Sequence, residues 1–188
     1  ELVDWCLTLP LWLELPGLRV IHACWHPARM AEIAPHLQPG RKLDATLVTA
    51  ASRRGSMAFH AIETLLKGLE IRLPPGHDFR DKEGHRRHEV RTRWWDINAN
   101  TYRTAAILDR AEREALPDTP IPESAVLGYE SEVPVFFGHY WWNGIPAPLM
   151  PHVACVDYSA GKRGPLVAYR WDGESVLDAG NFVSAPYG

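Results

Sequence analysis

Sixteen prolines punctuate a chain of 188 residues and limit the length of every regular element it can form. A proline ring fixes φ and removes a backbone donor, so a run with helical spacing ends at or before it. Pro10 ends a short helix over Leu2 to Leu9, Pro35 ends one over Ala28 to Ala34, and Pro117, Pro120 and Pro122 close the longest, from about Thr101 to Leu116. Pro10 and Pro16, with Glu14 between them, also keep the one candidate apolar stretch below the about 18 residues that a membrane-spanning helix needs. A soluble protein with no membrane partner is the expectation.

Between the prolines, helical and strand patterns take turns. Leu11 to Leu15 (LWLEL) and Leu18 to Ala23 (LRVIHA) read as two strands joined by Pro16-Gly17, a hairpin that ends at His22. Pro27 suits a first helical position. Pro39 to Gly55 lacks firm periodicity and reads as a loop. Ser56 can cap a helix whose Met57, Ala61, Ile62, Leu65 and Leu66 share one face, with Gly68 as its stop. Leu73 to His88 carries turn signals and no apolar period, the mark of a polar loop or irregular hairpin. The last third is β in character: Val133 to Phe137, Val153 to Asp157 and Leu166 to Trp171 read as strands, and Asp172-Gly173 as a hairpin turn. The fold class is α/β in the broad sense, α+β.

An apolar content of 46% is that of a globular protein, and a chain this long buries about 70% of its unfolded surface. One domain over residues 1–188 is therefore expected to fold without disulfides or a structural metal. A net charge of −3 is too small to imply a polyanionic partner. Cys6, Cys24 and Cys155 are odd in number and widely spaced, which suits the reduced thiols of a cytoplasmic protein.

Two segments share a grammar: an apolar strand that delivers a histidine at its C-terminal end. His22 in RVIHACWHP and His139 in VFFGHYWW both stand where mixed sheets gather their reactive groups. Neutral imidazole is a common transition-metal ligand, so the two can converge on one ion; equally, each can be a core or rim residue bonded to backbone. A compact zinc site on His22, Cys24 and His26 is the local alternative, although Pro27 bends the chain there. Arg80 to Arg93 holds six basic and three acidic residues beside Trp94 and Trp95. That composition fits a single-stranded nucleic-acid surface, a phosphate-recognition arm built on arginine forks, or a solvated loop anchored by its tryptophans.

Taken in order, RVIHACWHP, FFGHYWWNG and VACVDYSAGKRGPLVAYRWDGE resemble the C-terminal half of the calcineurin-like metallophosphoesterases. The branch of diadenosine tetraphosphatases and bacterial serine/threonine protein phosphatases is the nearest in pattern. The resemblance runs from about Leu11 to Val183, and the polar stretch at about 69–95 resembles an insert that bacterial members carry. It implies a β-sandwich of two mixed sheets flanked by helices. It also implies two-metal phosphoester hydrolysis with manganese, iron or zinc, and a phosphorylated small molecule, nucleotide or phosphoprotein as substrate. His22 and His139 would be ligands of the second metal, and Arg91 or Arg93 would bind phosphoryl oxygens.

The departures from the family pattern matter as much. The GDxHG, GDxxDRG and GNHE motifs, which supply the first metal's ligands, the bridging Asp and the catalytic His, do not occur in this sequence. DYSAG at Asp157 to Gly161 is also longer than the family's usual Asp, small residue and Gly. With Glu1 as the first residue, the expectation is a C-terminal portion whose missing half is an N-terminal segment or whose exposed sheet face recruits a second copy. The competing expectation is a non-catalytic binding module. Nucleic-acid binding ranks last.

Overall fold

The structure is a computed structural model that describes residues 1–81 and 84–187. The chain forms two compact units, one built from Glu1–Lys67 and the segment from Ser131 onward, the other from Gly68–Glu130. It is mixed α+β, and among the described residues no helix is long and apolar enough to cross a membrane.

The first unit opens with α1 (Leu2–Thr8), the hairpin strands β1 (Trp12–Leu15) and β2 (Leu18–Ile21), and then α2 (Pro27–Ile33), α3 (Ala45–Ala51) and α4 (Met57–Lys67). In β1 and β2, Trp12 faces Ile21 and Leu15 faces Leu18 across the expected turn, where Gly17 takes φ +79°. Pro27 occupies the first turn of α2, and His26 Nδ1 caps it from Arg29 N–H. The loop expected over Pro39 to Gly55 instead contains α3. Asp44 Oδ1 accepts from Leu47 N–H at 2.7 Å, and that cap plus one buried contact, Leu47, starts a helix too short for periodicity to show. In α4 the Ser56 hydroxyl accepts from Phe59 N–H at 3.0 Å. The buried face is Ala58, Ala61, Ile62 and Leu65; Met57, expected there, is exposed.

The second unit holds β3 (Glu70–Arg72), β4 (Phe79–Arg80), β5 (Arg86–Arg87), β6 (Glu89–Arg91), α5 (Tyr102–Ala105) and α6 (Arg110–Glu114). β3 pairs antiparallel with β6, and β4 with β5, so the polar stretch is an irregular hairpin flanked by two strands. Ile71, Leu73, Val90, Ala99, Ala105, Ala106, Leu116 and Ile121 form its core. The helix expected over Thr101 to Leu116 is two short ones. Ala106 leaves the helical region at ψ 132°, because it bridges Thr92 while Ile107 N–H donates to the Arg91 carbonyl; Asp109 then caps α6 afresh. Tertiary pairing with a neighbouring strand overrides a good local helix propensity.

Back in the first unit come β7 (Val135–Phe137), β8 (Val153–Cys155), β9 (Leu166–Tyr169) and β10 (Phe182–Ala185). The main sheet has the order β1-β2-β7-β8, antiparallel in the hairpin and parallel from β2 to β7 to β8. All residues of β7 and β8 are buried, as expected of parallel strands covered on both faces. On one face Phe136 and Ala154 pack with Leu18, Tyr169, Trp171 and Phe182, so the β9–β10 ribbon covers the sheet. Asp172-Gly173 is not a two-residue hairpin turn: β9 joins β10 through a longer segment organised by Glu174. Its carboxylate accepts from Tyr169 Oη at 2.7 Å and from Asp172 N–H and Asn181 Nδ2, and these bonds hold its pKa down at about 2. No local signal in the sequence announces such a long-range clamp.

Leu65 is fully buried, and its carbonyl accepts from the N–H groups of Ala23 and Cys24, just beyond β2. Leu65→Ala is expected to lower unfolding stability by about 2–5 kcal/mol, read by urea denaturation. A loss below about 0.5 kcal/mol would contradict the packing described for α4.

Candidate metal centre

The two parallel pairings β2–β7 and β7–β8 align three strand ends. His22 follows β2 directly, His139 lies two residues beyond β7, and Asp157 two residues beyond β8. The ladder continues past the strands: Gly138 N–H donates to the His22 carbonyl at 2.9 Å, and Val156 N–H to the Phe137 carbonyl at 2.8 Å. This register brings the two histidines together. His22 Nε2 lies 3.2 Å from His139 Nδ1, and the ring centroids are 5.1 Å apart.

The pair carries its own electrostatics. His22 is exposed as a residue, yet partial burial desolvates it enough to lower its pKa. The nearby Asp157 carboxylate opposes the shift without cancelling it. The shift favours the neutral imidazole, the form that donates a lone pair to a metal. His26 is shifted the same way, by burial first and Arg29 second, but its Nδ1 is spent on capping α2.

The loop after β7 is strained. His139 sits at φ 72° and Trp141 at φ 50°, and Ser159 and Arg163, in the loop after β8, sit at φ 66° and 67°. Left-handed backbone in a residue with a Cβ costs of order 1–3 kcal/mol. Four of the five such residues in the described chain lie in these two loops. Lys162 Nζ stands 5.0 Å from the centroid of the Trp141 ring, a cation–π contact between the loop after β8 and the loop after β7. Lys162 ends a short 3-10 turn over Ala160–Lys162. Asp157 was legible only as an acidic residue ending the third strand, as the two histidines end theirs.

The other expected site residues are placed elsewhere. Arg91 and Arg93 lie in the second unit, at the end of β6 and just after it. Arg91 Nε is 3.6 Å from Glu70 Oε1, whereas the buried Arg93 Nε has no hydrogen-bond partner among the described residues. Burial, and then the neighbouring Arg113, lower the Arg93 pKa. In the basic stretch, Arg86 pairs with Asp78 and Arg87 with Asp81, while Lys82 and Glu83 lie outside the described residues. Trp94 and Trp95 are 1% and 4% exposed, so neither offers a face for a stacked base.

Cys24, proposed with His22 and His26 for zinc, is wholly buried, and among the described residues no group of three or more His, Cys, Asp or Glu side chains could hold an ion. Cys155 is buried too, and burial pushes its thiol up to about 12.

Two outcomes follow from these environments. Below its ordinary value near 6.5 the unfolded chain takes up a proton that folded His22 resists, so acidification penalises the native state there and not above. His22→Gln is expected to lose less stability than the wild type between about pH 7 and pH 5, measured by urea unfolding at each pH; equal losses would contradict the assigned shift. Iodoacetamide is expected to label exposed Cys6 in the native chain and to reach Cys24 and Cys155 only on unfolding, as read by mass spectrometry. In comparisons with protein-family models, with curated proteins and with solved structures, nothing matches the chain.

Proposed function

We propose that this chain supplies part of the metal site of a calcineurin-like metallophosphoesterase, with His22 and His139 as two donors to one ion of a dinuclear centre. The separation of 3.2 Å between His22 Nε2 and His139 Nδ1 is the observation that carries the reading. Two nitrogens that each lie about 2.1 Å from one ion, at tetrahedral or octahedral angles, are about 3.0–3.4 Å apart. A neutral, solvent-reachable imidazole at the C-terminal end of a parallel strand fits the same role. In this reading the mixed β1-β2-β7-β8 sheet is one sheet of the family's sandwich.

When bound, such a centre supplies Lewis acidity and a hydroxide at neutral pH. The chain's own contribution is narrower. His22 and His139 hold donor atoms 3.2 Å apart, and Lys162 stacks over Trp141 in the adjoining loops. The acidic ligands and the acid–base histidine would come from a segment bearing the motifs this sequence lacks. The substrate class is phosphoesters in the broad sense, including nucleotides, dinucleoside polyphosphates and phosphoproteins.

Titration of the purified chain with Co²⁺, followed by its visible absorption, tests the reading. Saturable binding is expected, weakened about 10-fold or more by His22→Ala and by His139→Ala. Binding that both variants leave unchanged, or no binding at all, would favour a non-catalytic interaction module.

A further inference from the structure

We infer that Asp157 is the positioning residue of the histidine pair: it holds the loop after β7 in the one conformation that carries His139 Nδ1 to His22 Nε2. The consequence for metal binding rests on the proposed function above, but the geometric claim stands without it.

His139 and Trp141 both occupy left-handed backbone, which neither residue type favours, so something must hold them there. Two backbone donors of this loop, those of Trp141 and Trp142, go to one residue. Trp141 N–H donates to Asp157 Oδ2 at 3.2 Å, and Trp142 N–H donates to the Asp157 carbonyl at 2.9 Å. The second carboxylate oxygen, Oδ1, accepts from Ser159 N–H at 3.0 Å, and the Ser159 hydroxyl donates to the Trp142 carbonyl at 3.2 Å. Asp157, in the loop after β8, thus accepts two bonds from the loop after β7 and one from its own loop, and the Ser159 hydroxyl adds a third bond between the two loops. Gly138, just before His139, lies against the same residue: a Cβ built on it would be 3.4 Å from Asp157 Cβ.

The chemistry requires a carboxylate. Two separate N–H groups, of Trp141 and Ser159, need two separate side-chain oxygens. Asparagine offers one oxygen and an NH₂ group that can only donate, so it must lose one of the two bonds and point a donor at a donor. The position that relaxes is the strained one, because releasing Trp141 lets the backbone leave the left-handed region and move His139.

The experiment compares wild type, Asp157→Asn and Ser159→Ala in the full chain. Two readouts are taken: the nuclear Overhauser contact between the His22 and His139 rings in metal-free protein, and Co²⁺ affinity. D157N is expected to lose the ring contact and to bind Co²⁺ about 10–100-fold more weakly at a retained circular dichroism spectrum, with S159A less affected on both counts. Adding Trp141→Gly to D157N is expected to restore part of the ring contact, since glycine adopts left-handed backbone without strain. That pair also serves if D157N alone does not fold. A wild type that binds no Co²⁺ while D157N still loses the contact would end the metal reading and leave the positioning role standing. A ring contact that D157N leaves unchanged would overturn the role of Asp157.

Discussion

The parallel pairing of β2 with β7 is the constraint on which the rest of the site depends. Parallel neighbours end on the same edge of a sheet, so whatever follows one strand is brought beside whatever follows the next. Arg19 pairs with Val135 and Val20 with Phe136, and the hydrogen bond from Gly138 to the His22 carbonyl carries that register past the last paired residues. A slip of one residue would turn the buried side chains of β7 toward the wrong face. It would also separate imidazoles that lie 117 positions apart in the chain.

Around that pairing, burial and strain divide the work. Val135, Phe137, Val153 and Cys155 are at most 1% exposed, and this packing makes the strand ends rigid platforms. The loops beyond them hold left-handed residues that a mobile segment would not keep. The free energy released by burying the strands offsets the cost of the strained loops, which is the usual relation between a scaffold and the site at its edge. The same burial raises the Cys155 thiol and leaves the chemistry of this edge to imidazole, carboxylate and amine.

Much of the scaffold is legible in the sequence. Pro10, Pro16-Gly17 and Pro27 placed the first helix, the hairpin and the second helix, because proline and glycine act through backbone sterics that need no tertiary partner. The strand-end positions of His22 and His139 were legible for a related reason: an apolar run followed by a polar residue marks where a buried strand meets solvent. The failures have a different physical origin. The helix α3 hangs on one Asp44 cap and one buried leucine, a signal too brief for periodicity. The break at Ala106 comes from pairing with Thr92, and the course of the chain between β9 and β10 from a carboxylate, Glu174, whose partners are spread over Tyr169 to Asn181.

By itself, the sequence determined the first hairpin, the helices that proline bounds, the two histidine-bearing strand ends and the apolar run that makes β7 a buried strand, since each of these is set within a window of a few residues by sterics and hydrophobic pattern. Tertiary structure alone decided that the two imidazoles meet, that Asp157 braces the loop between them, that Trp94 and Trp95 face a core rather than a ligand, and that Arg91 and Arg93 belong to a different unit. These are facts about which distant segments pair, and pairing is chosen by the whole buried surface, not by any stretch of chain that can be read in isolation.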